Sequence, residues 1–157
     1  MSSVTTVNLP DWLANRWIVA HNASTAEVAA LFAVVDRDLK DAVVPHLSAD
    51  AKLGFAYAAA LQLATIALAA EGYRPGRERA HERAILSLRD TIGVGRADVD
   101  LLDLTRRKRN QAHYEQVGMA SDAEANELLG VVTALRATVV RWLRKNHPAM
   151  TPPGIKP

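Results

Sequence analysis

The chain has 157 residues, of which 49% are hydrophobic and only 5% aromatic, and its formal net charge at pH 7 is +2. This length and composition fit about one domain with a substantial core and exclude intrinsic disorder, while the small net charge excludes a polycation that binds nucleic acid over its whole surface. The chain contains no cysteine, which excludes disulfides, thiolate metal sites and a cysteine nucleophile.

The first two helices are predicted at residues 9–21 and 24–44. Ser24 and Glu27 have the spacing of a capping box at the start of the second helix, and Pro45 ends it. The N-terminal stretch "MSSVTTVNLPDWL" has no basic region and no long apolar run. We therefore expect no secretory signal and a cytoplasmic protein.

Residues 53–70, "LGFAYAAALQLATIALAA", are uncharged over about the length that spans a bilayer. Alanine contributes little to membrane insertion, however, and Asp50 and Glu71 lie close to the ends of the segment. The pattern therefore favours a buried central helix of a bundle at residues 48–71, with small residues that let its neighbours approach closely. Contact with a membrane is the alternative.

The next elements follow two breaks that contain glycine, the basic turn "GYRPGRER" and the shorter "GVG". Helices are predicted at residues 79–92, 97–117 and 121–146. The last of them begins with "SDAE", which has the spacing of a second capping box.

The fold class predicted from these elements is all-α, an up-and-down helical bundle of five or six helices. No segment alternates apolar and polar residues as a half-buried strand does. Residues 1–148 are expected to form a single domain, and residues 149–157 a flexible C-terminal tail.

The stretch "LTRRKRNQAHYEQ" at residues 104–116 places four basic side chains in the middle of a predicted helix. At about 100° per residue, Arg106, Arg109 and His113 share one stripe with Leu102, whereas Arg107 points elsewhere. The core face predicted beside that stripe consists of Leu101, Leu104, Thr105 and Ala112. An apolar Leu102 on the exposed stripe would favour a two-fold homodimer.

Two readings of this cluster stay open. Arginine presents a planar donor fork to phosphate and histidine transfers a proton near neutral pH, so Arg106, Arg109 and His113 suit metal-independent cleavage of RNA. Alternatively, the arginines form a solvated face or pair with nearby carboxylates such as Asp98 and Asp103.

The segment "RKRNQAHYE", preceded by "AAALQLATIALAAEGYRPGRERAHERAILSLRDTIG", resembles a bacterial branch of the HEPN superfamily (higher eukaryotes and prokaryotes nucleotide-binding). The resemblance covers residues 10–148. It implies a helical fold and, in many members, a dimeric ribonuclease that acts as a toxin or a defence effector.

Members of that superfamily carry an arginine, commonly followed by a polar residue, and then a histidine after four to six intervening residues. Arg109 and Asn110 match the first pair, but only three residues separate Arg109 from His113, and Tyr114 stands where the histidine is expected. Measured from Arg107 or Arg106, His113 follows after five or six intervening residues, so the motif is either shifted or degenerate.

The resemblance implies an RNA-acting protein, with Arg109 and His113 as catalytic residues and Arg106, Asn110 and Tyr114 as binding residues. A catalytically silent HEPN module that binds nucleotide, RNA or a protein partner is the alternative. We expect no cofactor and no metal, and an antitoxin or a nucleotidyltransferase-like protein as a partner. His81 is either satisfied by a backbone carbonyl at a helix end or lies in the same cleft.

Overall fold

A computed structural model describes residues 9–114 and 120–157, and the side chains of residues 9–110 and 120–157. These parts of the chain form an all-α bundle with six α-helices and one small two-stranded sheet, which confirms the predicted fold class. The helices are α1 (Leu9–Ala14), α2 (Thr25–Asp41), α3 (Ala49–Ala70), α4 (Ala80–Thr91), α5 (Arg96–Tyr114) and α6 (Asp122–Asn146). The strands are β1 (Ile18–Ala20) and β2 (Tyr73–Pro75).

Helix α3 lies at the centre and contacts α2, α4, α5 and α6. Half of its side chains are buried, among them Ala60, Leu63, Ala64 and Ile66, and the alanines allow the neighbouring helices to pack close to its backbone. By length and composition α3 passes the test for a membrane span, but 61% of its most apolar window is buried inside the bundle. This burial fits the core helix of a soluble bundle.

The caps show how local chemistry sets the helix boundaries. Ser24, Ser48 and Ser121 each accept a hydrogen bond from a first-turn backbone N–H, at the starts of α2, α3 and α6. At α6 the reciprocal bond from Glu124 completes the predicted capping box. At α2 it is missing, because the carboxylate of Glu27 instead binds the His21 ring at 2.8 Å.

The small sheet was not predicted. The helix expected over residues 9–21 ends at Ala14, and β1 pairs antiparallel with β2 so that Val19 lies opposite Arg74. Ile18 is fully buried beside Trp12 and Leu68 in a small second core. The strands are too short for an alternating pattern, and their pairing depends on this tertiary contact.

The segment after α6 packs against the bundle. A 3-10 turn at Pro148–Met150 leads to Pro152, which is buried, and Ile155, which is partly buried against the core. Arg136 donates a hydrogen bond to the backbone carbonyl of Lys156 at 2.7 Å. The sequence prediction of a flexible tail took no account of these contacts.

Candidate functional site

The face that α5 turns towards the core differs from the predicted one. Val99, Leu102 and Thr105 are buried, whereas Leu104, which was assigned to the core, is 42% exposed. The core-facing direction of α5 is therefore rotated towards the stripe that carries Arg106 and Arg109. The burial of Leu102 also removes the apolar contact on which the homodimer prediction relied.

The inward-turned polar stripe meets the first turn of α4 in a cavity of about 500 Å³, which we call the α4–α5 pocket. The pocket brings together three residues that the sequence had singled out for binding: His81, Arg106 and Asn110. Its other lining residues are Arg79, Ala80 and Glu82.

Ion pairs link the charges around the α4–α5 pocket. Glu82 binds Arg79 at 2.6 Å and lies 3.9 Å from Arg106, which binds Asp103 at 2.9 Å. Asp103 also contacts Arg107 at 3.5 Å, on the exposed side of α5. Three arginines thus share two carboxylates, which leaves one net positive charge on this network.

Two further donors of the pocket, His81 and Asn110, have no side-chain partner among the described residues. His81 and Asn110 are exposed, and neither side chain makes a hydrogen bond or an ion pair among the described residues. His81 stands at the start of α4, where the helix presents backbone N–H groups rather than carbonyls, so the expected bond to a carbonyl does not form. The N-cap residue Arg79 has a left-handed backbone and its side chain does not cap the helix.

Arg109 lies apart from this pocket, against α3. Its guanidinium is 5.2 Å from the centre of the Tyr57 ring, and its Nη1 is 3.4 Å from the carbonyl oxygen of Gly54. A Cβ added at Gly54 would come within 3.8 Å of the guanidinium carbon. This is an ordinary van der Waals distance, so the guanidinium packs against the α3 backbone at Gly54 as well as over the Tyr57 ring.

Tyr57 is a neighbour of the site that sequence reasoning missed. The residue is 3% exposed, and within the described parts of the chain its hydroxyl has no hydrogen-bond partner. Burial raises the pKa of Tyr57 to about 12, although the nearby charges of Arg106 and Arg109 act in the opposite direction. The hydroxyl thus stays neutral, as a potential donor beneath the two arginines.

The remaining predicted site residues, His113 and Tyr114, have side chains outside the described residues. The backbone of α5 is helical to Tyr114, so position 113 keeps the register from which its stripe was predicted. The network carboxylates Glu82 and Asp103 were also not assigned to the site. Asp103 had a signal in the sequence, since it precedes Arg106 and Arg107 by three and four residues, the spacing of helical ion pairs.

No group of three or more histidine, aspartate or glutamate side chains is placed to hold a metal ion within residues 9–110 and 120–157. Comparison of the chain with protein-family models, with curated proteins and with solved structures finds no match.

Proposed function

We propose that the protein acts on RNA, as the resemblance to HEPN proteins implies, and that the α4–α5 pocket holds a phosphate group of the strand. The supporting observation is the convergence of Arg79, His81, Arg106 and Asn110 on one cavity. Arginine forks, an amide and the uncapped start of a helix are the groups that bind phosphate oxygens in proteins.

In the leading form of the proposal, the protein is a metal-independent ribonuclease toxin or defence component. Arg106 neutralises charge on the phosphate from inside the pocket, and Arg109 does so once its guanidinium leaves the Tyr57 ring. His113 takes the proton of the 2′-hydroxyl and gives a proton to the leaving 5′-oxygen. His81 at the pocket wall is a second candidate for proton transfer, because its ring is exposed and makes no hydrogen bond or ion pair among the described residues.

The ion pairs favour the second form, a silent module that binds nucleotide, RNA or a protein partner. Arg106 is already held by Asp103, with Glu82 nearby, and Arg109 lies over Tyr57 outside the pocket. A catalytic arginine must already point at the place where charge develops in the transition state, whereas a binding arginine can be shared with carboxylates.

A cytoplasmic location, a homodimer and an antitoxin or nucleotidyltransferase-like partner belong to the same proposal. The dimer no longer relies on Leu102. Leu104, at 42% exposed, is the apolar side chain on α5 that a partner would cover.

The test is cleavage and binding of single-stranded RNA in the presence of a chelator. Asn110→Asp places a negative charge in the pocket, and His81→Ala removes the ring. Both residues are exposed and have no side-chain partner in the described part of the chain, so neither change should unfold the protein. We expect Asn110→Asp to weaken binding by at least about 1–3 kcal/mol, the range for hydrogen bonds to charged groups.

The matched control is Arg107→Ala, on the same helix but outside the pocket and with a side chain 62% exposed. If the wild type cleaves RNA and His81→Ala or His113→Ala abolishes that cleavage, the nuclease is favoured. If the wild type binds RNA without cleaving it, the silent module is favoured. If Asn110→Asp and Arg107→Ala bind RNA equally well, the assignment of the pocket is wrong.

A further inference from the structure

A second basic cavity, of about 480 Å³, lies beside the segment that leads into α4. We call it the Arg–Trp pocket. It is lined by Asn15, Arg16, Trp17, Val19, Arg74, Gly76, Arg77, Glu78 and Arg83. Four arginines and one glutamate leave a net charge of +3 on its walls.

The charges of this pocket are less neutralised than those of the α4–α5 pocket. Among the described residues, Arg16, Arg74 and Arg77 make no ion pair and no side-chain hydrogen bond, and all three are exposed. In the α4–α5 pocket both arginines are bound to carboxylates. Like charges gathered without counter-charges repel one another, and a bound anion would relieve that repulsion.

The backbone presents Arg16 in a conformation that a side chain disfavours. Arg16 has a φ of 62°, at the turn that joins α1 to β1, where glycine would be favoured. The turn is held by hydrogen bonds from Arg16 to Leu13 and from Trp17 to Trp12. Glycine at position 16 would therefore be expected to make the folded protein more stable than arginine does.

Gly76 closes the same pocket from β2. Its N–H donates to the carbonyl oxygen of Trp17 at 2.9 Å, and a Cβ at this position would lie 2.5 Å from the carbonyl oxygen of Arg16. The backbone at Gly76 therefore passes very close to the α1–β1 turn. This approach places Arg74 and Arg77 on the wall of the same pocket as Arg16.

An aromatic ring completes the wall. Trp17 is 36% exposed, and the guanidinium of Arg83 lies 4.6 Å from the centre of its ring. Arginines interleaved with an exposed aromatic are the combination that binds single-stranded nucleic acid, in which phosphates meet cations and bases meet rings.

We propose that the Arg–Trp pocket is a second phosphate-binding site, which takes the backbone of the RNA strand bound at the α4–α5 pocket. The choice of RNA as the ligand rests on the proposed function. The two cavities are adjacent: Glu78 lines one and the next residue, Arg79, lines the other. A single strand that follows the start of α4 therefore meets arginines in both.

The experiment measures affinity for a labelled 2′-O-methyl oligoribonucleotide, which cannot be cleaved because its 2′-oxygen is blocked, as a function of salt. The variants are Arg16→Gly and Arg77→Glu in the Arg–Trp pocket, and Asn110→Asp in the α4–α5 pocket. Arg141→Ala is the control, since Arg141 is exposed on α6 and lines neither pocket.

We expect Arg16→Gly to lower the slope of log affinity against log salt by about 0.7, the value for one lost phosphate contact on a single strand. The same substitution should leave the melting temperature unchanged or raise it, because glycine suits the left-handed backbone. Binding should also change the tryptophan fluorescence of the wild type, and Trp17→Phe should remove that change.

If Arg16→Gly and Arg77→Glu bind with the affinity and salt slope of Arg141→Ala, the inference is overturned. Should Asn110→Asp alone weaken binding, the proposed function stands and the second site is refuted. Weakening by the Arg–Trp variants alone supports the second site and refutes the α4–α5 pocket as the place where RNA binds.

Discussion

Replacing Tyr57 by phenylalanine should stabilise the protein. The hydroxyl is buried beneath Arg109 without a hydrogen-bond partner among the described residues, and a buried polar group in that state costs about 1–3 kcal/mol. Removing one oxygen atom loses a few van der Waals contacts of about 0.1–0.2 kcal/mol each. The phenylalanine ring still accepts the guanidinium, so the cation–π contact remains.

The net gain in the free energy of unfolding is therefore about 1–2 kcal/mol, which corresponds to a rise in Tm of about 2–8 °C for a domain of this size. Urea denaturation at neutral pH measures it. The matched control is Tyr73→Phe in β2, where the side chain is only partly buried and the change should stay within about 0.5 kcal/mol.

The raised pKa of Tyr57 adds a dependence on pH. Between pH 10 and about 12 this tyrosine ionises in the unfolded chain but remains neutral in the folded one, so the folded state binds more protons and wild-type stability falls as pH rises. The advantage of Tyr57→Phe should therefore widen above pH 10. A variant that is less stable than the wild type at neutral pH would refute the reasoning, because the hydroxyl would then have a stabilising partner.

The other predictions concern burial, charge and backbone space. In urea denaturation, Leu102→Ala should lower the free energy of unfolding by about 2–5 kcal/mol and Leu104→Ala by less than about 0.5 kcal/mol. Equal losses would contradict the observation that α5 turns Leu102, and not Leu104, towards the core. Both carboxylate oxygens of Asp90 are buried without a partner among the described residues, and burial raises the pKa of this carboxyl group. Asp90→Asn should therefore raise the free energy of unfolding at pH 7. It should not do so near pH 3, where Asp90 is protonated in both the folded and the unfolded state. Gly76→Ala should lower the free energy of unfolding by about 1–3 kcal/mol, because the added Cβ meets a backbone oxygen. Gly130→Ala should raise it by up to about 1 kcal/mol, because Gly130 lies within α6 with no atom near the added Cβ. Thermal melts that rank the two variants the other way would contradict this.

Local chemistry made much of the fold predictable from the sequence. Ser48 and Ser121 mark helix starts because a short side-chain oxygen reaches the free N–H groups of the next turn. The uncharged stretch of α3 likewise indicates a helix buried on all sides. The sheet was missed because strands of three residues carry no period, and because Ile18 is held by a contact with α3 that is distant in the sequence.

The candidate site was predictable only in part, for a geometric reason. A helical wheel shows which residues share a stripe, but α5 has leucines on several sides, and the wheel does not say which stripe faces α3. In the structure Leu102 takes the core side. Tyr57 and Glu82 then give Arg109 and Arg106 partners beside it. Tyr57 lies among alanines, so the sequence offered no sign that it would meet the arginines.

The two carboxylates shared by the arginines of the α4–α5 pocket have a consequence for selectivity. Glu82 and Asp103 occupy some of the guanidinium donors and place negative charge beside them, so an anion that enters must bind the remaining donors strongly enough to outweigh repulsion by these carboxylates. A chloride ion carries one charge and has no geometry that matches a planar donor fork, whereas a phosphate group offers several oxygens at once. We therefore expect the pocket to bind the abundant monovalent anions of the cell much more weakly than it binds phosphate groups.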